Sequence, residues 1–190
     1  MRALLLWSAY TFCRPGEVRQ AEWSEIDWDK REWRIPAEKM KMRFEHRVPL
    51  SDQCLDILER LGRKKISERW IFPSKKDRTK PVSEAGALSA LRNIGYEKNE
   101  MTPHGFRAMA STLLHELGFK PDIIERQLAH GDTDKVRAVY NRAAYMDERR
   151  TMMQRWADYL DGLAFDNAIS ALKEDFAPAR PAKRKSSRRP

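Results

Sequence analysis

The run "SEIDWDKREWRIPAEKMKMRFEHRVPL", Ser24–Leu50, changes period inside a chain whose apolar residues otherwise recur at helical spacing. Trp33 and Ile35 alternate with charged neighbours, and the alternation returns in "RFEHRVPL" after "AEKMKM". Apolar groups at every second position line one face of a pleated strand, so two or three short antiparallel strands are predicted here. Everything on either side reads as helix or loop. The predicted class is therefore α+β, mainly α with a small antiparallel β-sheet.

Upstream, residues 2–12 form a continuous apolar run predicted to be a buried helix, and Pro15 and Gly16 break it before Glu17–Trp23 restarts. A bare apolar helix at the chain start predicts a further portion ahead of it. Downstream, Ser51 and Asp52 cap a helix whose apolar face carries Leu55, Leu58 and Leu61, widened by Cys54 and Ile57. "WIFPS" is a further short apolar segment, followed by a basic loop, Lys75–Lys80. Helices are then predicted from Ser83 to about Asn93 or Ile94, from Thr102 to about Leu117 with Gly118 closing, and from Pro121 to Ala129. Two more follow, from Thr133 or Asp134 through Tyr140 toward Ala144 and from Asp147 to Leu163. Phe165, Ile169, Leu172 and Phe176 recur at four, three and four residues, which predicts an amphipathic helix over 164–177. The tail 178–190 is basic and lacks large apolar residues, so it is predicted to be disordered.

The formal net charge is +9, but its placement decides what it means. Six of the 37 basic residues lie in the tail from Arg180 onward, where no acid occurs, leaving 31 basic against 28 acidic groups in the rest. Charge alone therefore does not make the folded part a nucleic-acid binder. Cys13 and Cys54 sit in apolar patterns without metal-ligand spacing and read as reduced, buried thiols of a cytoplasmic protein. No stretch approaches the ~20 apolar residues of a membrane span.

Several side chains carry chemistry. In "MTPHGFRAMAS", Met101–Ser111, Thr102 reads as an N-cap with Pro103 in the first helical turn. His104 and Arg107 then share a face at i and i+3, near a helix N-terminus that favours an oxyanion. Arg14 stands at the Pro15-Gly16 corner with Glu17 one turn on. Lys41 occupies the tip of the predicted hairpin, His130 in "LAHGD" a helix C-terminus, and Tyr140 in "KVRAVYNRAAY" a helix interior. Singly, each has an ordinary interpretation: a surface ion pair, a solvated lysine, a dipole-stabilised histidine, a core aromatic. A zinc hydrolase built on His104, His130 and a carboxylate lacks the His-Glu-x-x-His spacing and leaves tyrosine, lysine and two arginines without a role, so no metal is expected.

Taken in order, Arg14, Lys41, His104, Arg107, His130 and Tyr140, within the contexts "RVPL", "HGFR" and "LAH", resemble the catalytic domain of tyrosine recombinases, particularly the integrases of prophages and integrative islands. The resemblance covers about residues 3–163. It implies that residues 1–163 are a catalytic domain of that fold without the amino-terminal DNA-clamping domains of relatives. It implies site-specific DNA recombination, the integration or excision of a prophage or genomic island, through a 3′-phosphotyrosyl intermediate and with no cofactor.

By the same resemblance Tyr140 is the nucleophile, Arg14 and Arg107 grip the non-bridging phosphate oxygens, Lys41 protonates the leaving 5′ oxygen, His104 takes the tyrosine proton and His130 hydrogen-bonds the phosphate. Arg14, Lys41, Arg107 and His130 would thus contact DNA, with Glu17 buttressing Arg14. Lys39 rivals Lys41, though counting back from Pro49 favours Lys41. Tyr145 rivals Tyr140, though "VRAVYNRA" favours Tyr140. The implied partners are a double-stranded attachment site, three further copies of the chain on DNA (a monomer without it), and accessory DNA-bending or directionality proteins at the bacterial nucleoid. The alternative is a truncated, non-catalytic DNA-binding remnant.

Overall fold

The computed structural model describes residues 1–129 and 145–175, with side chains described to residue 166. Helix α1, Arg2–Thr11, is the hub: it packs against α3 (Asp52–Gly62), α4 (Glu84–Asn93) and α5 (Gly105–Glu116). Its apolar run explains this position, since Leu4, Trp7 and Tyr10 are all buried. Trp7 meets Trp33 and Phe72 edge-on, with ring centroids 5.7 and 6.0 Å apart, an arrangement the ring quadrupoles favour. Ser8 and Thr11 are buried without cost in unmade hydrogen bonds, because their hydroxyls donate to the carbonyls of Leu4 at 2.8 Å and Trp7 at 2.7 Å.

The period change in Ser24–Leu50 does produce a three-stranded antiparallel sheet, in the order β1 (Ile26–Asp27), β2 (Glu32–Ile35), β3 (His46–Pro49). Trp33 pairs with Ile26 on one side and Val48 on the other, and Ile35 pairs with His46. Residues opposite one another share a face, so this register gathers Ile26, Trp33, Ile35, His46 and Val48 on the buried side. Shifting it by one residue would turn that set to solvent.

Several predicted elements differ in detail. The helix expected over Glu17–Trp23 is shorter: α2 spans Pro15–Arg19, and a separate 3₁₀ turn covers Trp23–Glu25. The backbone between them pairs elsewhere, with Ile71 N–H donating to Ala21 and Trp23 N–H donating to Arg69, each at 3.0 Å. Those bonds, with the Glu22–Trp70 bridge, give the "WIFPS" segment its place. On α3 the buried stripe runs through Cys54, Ile57 and Leu58, with Leu55 and Leu61 half-buried at its flanks. Gly118, at φ 80°, closes α5 as expected: Phe119 N–H reaches back to Leu114 at 3.1 Å, a bond the left-handed glycine permits. The next helix, α6, is Pro121–Gln127.

The two helices expected around residue 163 are one, α7, Met146–Asp175, which continues through Gly162. Its first part belongs to the compact unit Met1–Ala157 and buries Arg149, Met152, Met153, Trp156 and Ala157. The Trp156 indole donates to the Ala9 carbonyl at 2.9 Å and its ring meets Phe12 edge-on at 6.1 Å. The unit Asp158–Pro190 begins within α7 and exposes Leu163 and Phe165. Among the described residues no helix is long and apolar enough to cross a membrane.

Candidate active site

Arg14 is fixed from both ends. It stands at the N-cap of α2 in extended conformation, with Pro15 in the first turn, where a missing N–H is harmless. The buried Glu17 carboxylate reaches back to accept from the Arg14 N–H at 2.8 Å and from its Nη1 at 2.9 Å. One carboxylate thus caps the helix and orients the guanidinium. Just before it, Phe12 closes α1 in the left-handed region at φ 40°, a conformation costing about 1–3 kcal/mol. That bend presents the Phe12 carbonyl to Arg107 Nη1 at 3.3 Å.

The C-terminus of α6 gathers three donors from distant parts of the chain. The consecutive carbonyls of Gln127, Leu128 and Ala129 accept from His46 Nε2 at 3.1 Å, from Arg107 Nη2, and from Arg14 Nη2 at 3.2 Å. A helix end leaves its last carbonyls unpaired and partially negative, so cations collect there. The result is that both guanidiniums converge on adjacent oxygens. Burial, followed by the positive charge of Arg14, lowers the Arg107 pKa below its ordinary value.

His46 and Arg149 form a layer beneath. Arg149 donates through Nε and Nη2 to the Gln127 side-chain oxygen, at 3.1 and 2.6 Å, and through Nη2 to the Arg47 carbonyl. Burial lowers its pKa to about 10, which still leaves it charged near neutrality. Burial and the neighbouring Arg149 charge push His46 down to about 3, so the ring is neutral and its Nε2 carries the proton given to Gln127. The unfolded chain takes up a proton at His46 as pH falls through about 6.5, whereas the folded chain does so only near 3. Stability from this group is therefore full above pH ~6.5 and falls by up to ~1.4 kcal/mol per unit as pH drops toward 3. His46→Gln, which keeps a donor, should flatten the dependence of Tm on pH between 6.5 and 5. An unchanged slope would remove His46 as its cause.

In front of these groups lies an open cleft of about 470 Å³ whose lining includes Arg14, Lys41, Arg43 and His104. Lys41 is exposed on the turn joining β2 and β3, and His104 is exposed at the start of α5. Thr102 and Pro103 fall short of the expected cap: His104 holds the N-cap position and α5 begins at Gly105, while the Thr102 hydroxyl accepts the Gly105 N–H at 3.2 Å. Lys39 also borders the cleft, but its ammonium is engaged by Gln20, Glu22 and Glu25.

The structure thus brings Arg14, Lys41 and His104 to one cleft and sets Arg107 beside Arg14. His130 and Tyr140 lie outside the described residues. Tyr145 is described: it is exposed, with φ 62°, immediately before α7.

Sequence reading missed His46, Gln127 and Arg149. Two of them were signalled: His46 alternates inward with Val48, and Arg149 shares a helical face with Met152, Met153 and Trp156. Gln127 is polar in a seven-residue helix and carried no such mark.

The family model for the phage integrase family matches residues 1–146. The chain belongs to the phage integrase family. This integrase-family chain is 45% identical over 157 residues to the prophage integrase IntA of Escherichia coli K12, a match covering 83% of this chain and 38% of that protein. The chain spans well under half the length of that relative. In fold it is similar to the integrase from mycobacterium phage Brujita, at TM-score 0.60 and 18% identity, covering 82% of this chain and 50% of the other. It is also similar to the Tn1549 transposon integrase solved in complex with a circular intermediate DNA, at TM-score 0.55 and 14% identity, covering 74% and 57%. The α+β fold of the chain is that of these integrase structures.

Proposed function

We propose that the chain is the catalytic portion, residues 1–163, of an integrase that inserts or excises a prophage or genomic island by cutting and rejoining DNA through a 3′-phosphotyrosyl link. The observation that carries this reading is the convergence of Arg14 and Arg107 on adjacent backbone oxygens beside a cleft that exposes Lys41 and His104. Two guanidiniums that donate to consecutive backbone carbonyls supply paired forks for the two non-bridging oxygens of a phosphodiester.

In the proposed step the Tyr140 hydroxyl attacks phosphorus and its proton passes to His104. The bond to O5′ breaks, and that oxygen leaves with a proton from Lys41. Charge that builds on the non-bridging oxygens falls to Arg14 and Arg107, with His130 adding a hydrogen bond. The phosphate ester is exchanged, not spent, so a 5′ hydroxyl from another strand can reverse the step.

The DNA-bound state of the Tn1549 relative supports duplex DNA as the partner. Recombination of two sites further implies four chains on DNA, assembled at the nucleoid with accessory proteins. Labelled attachment-core duplex incubated in EDTA without nucleotide should yield religated strands. A strict need for Mg²⁺ or ATP would contradict the mechanism. Sedimentation with and without that duplex should show a tetramer only when it is present.

A further inference from the structure

Two lysines stand two residues apart at the β2–β3 turn, and the structure treats them oppositely. Lys41 is exposed and free to face a ligand. The Lys39 ammonium has three protons and three acceptors: the Gln20 carbonyl at 2.7 Å, Glu22 Oε1 at 2.7 Å, and Glu25 Oε1. Both carboxylates are themselves largely buried, at 14% and 8% side-chain exposure, so the network is held away from the water that weakens surface pairs.

The acids are tied down in turn. Glu22 receives Arg69 through Nε and Nη2 at 2.9 and 3.1 Å, and Arg69 lies 4.3 Å over the Trp70 ring. Glu25 Oε2 accepts the Trp33 indole at 2.9 Å and the Glu22 N–H at 3.1 Å. Lys39, Arg69, Glu22 and Glu25 together carry no net charge, so Lys39 lends the cleft no useful positive field. What it supplies is attachment, joining the start of the turn to strand β2 and to residues 69–70. Next to it Met40 is buried, and its carbonyl accepts the Arg43 N–H at 3.0 Å. Lys41 is thereby suspended between two fixed points.

We propose that Lys39 is a positioning residue, anchoring the turn through Glu22 and Glu25 so that the Lys41 ammonium is held at the cleft for proton transfer. This rests on Lys41 being the general acid. A hairpin lysine otherwise samples many rotamers, and an anchored backbone removes part of that freedom before substrate arrives.

The test compares Lys39→Met, which keeps the aliphatic stem, with Glu25→Gln, which keeps the shape of the acid, and with Lys41→Ala. Thermal melting identifies the variants that fold. Amide hydrogen exchange at Met40 and Arg43 should quicken at least ~10-fold in the anchor variants as local opening becomes easier. Cleavage of ordinary attachment-core DNA should slow ~10-fold to ~100-fold, the usual result of a misplaced catalytic group. With sulfur in place of the bridging 5′ oxygen the leaving group needs no proton, so the anchor variants and Lys41→Ala should all recover to within ~3-fold of wild type. Unchanged exchange, or an equal deficit on both substrates in variants that fold, would overturn the positioning role. If Lys41→Ala alone stayed slow on the sulfur substrate, the general-acid assignment of Lys41 would fall instead, and the exchange data would still judge the anchor.

Discussion

Arg107→Ala is expected to slow strand cleavage by roughly 10²–10³, the usual loss when one preorganised donor to transition-state charge is removed, while weakening attachment-site DNA binding by much less. Arg14→Ala should behave alike. The reasoning is differential: both phosphates and their transition states are negative, but only the transition state concentrates extra charge on the oxygens these groups would hold. Lysine should not rescue Arg107, because one ammonium cannot reproduce a planar fork that meets the Phe12 carbonyl through Nη1 and the Leu128 carbonyl through Nη2. Single-turnover cleavage at saturating protein, beside filter binding of the same duplex, separates the two effects. Equal losses in rate and affinity would make the arginines simple phosphate anchors. The double variant should lose less than the product of the single losses, since the groups act on one phosphate.

On the proposed function, the same contacts would leave the site ready before DNA arrives. Arg14 and Arg107 rest on the carbonyls that end α6, and phosphate oxygens would replace one set of acceptors with another. Little side-chain reorganisation is then needed. The Glu17 carboxylate keeps Arg14 pointed there, and the buried His46–Gln127–Arg149 layer keeps α6 in register with β3 and α7. Their contacts serve stability and alignment, and none of these four buried groups needs to touch DNA.

How much of this could be read beforehand depends on the range of the interaction. The period change at Ser24–Leu50 was legible because alternation is a local property, and it placed the sheet. The α5 start was legible within two residues from Thr102 and Pro103, and its end from Gly118. What sequence could not supply was every contact spanning distant segments. Arg14 meets Ala129, Arg107 meets Phe12, and His46 meets Gln127, all across long separations that only tertiary packing closes. The restart after Pro15 was overextended for the same reason: helix propensity in Ala21–Trp23 lost to backbone pairing with residues 69–71. The predicted end at Leu163 does not occur: an isolated glycine weakens helix by about 1 kcal/mol, and α7 runs through Gly162 nonetheless. At the lysines, counting back from Pro49 favoured Lys41, and the burial of the Lys39 ammonium among Glu22 and Glu25 is an independent, physical reason for the same preference.

The proposed nucleophile carries the other large effect. Tyr140→Phe removes only the hydroxyl, the atom that would bond to phosphorus, so cleavage should fall to background with DNA binding preserved. Tyr145→Phe should retain activity, since Tyr145 precedes α7 on a left-handed backbone at φ 62° and is no part of the segment that resembles the integrase nucleophile. The most direct measurement is a denaturing gel of wild type, Tyr140→Phe and Tyr145→Phe incubated with a nicked suicide duplex carrying the attachment core, on which a cleaved strand cannot be rejoined. The expected result is a protein–DNA adduct in wild type and Tyr145→Phe that is lost in Tyr140→Phe. An adduct that survives Tyr140→Phe, or none from any form on a duplex that a full-length relative cleaves, would contradict the assignment of this chain as a strand-cutting integrase acting through Tyr140.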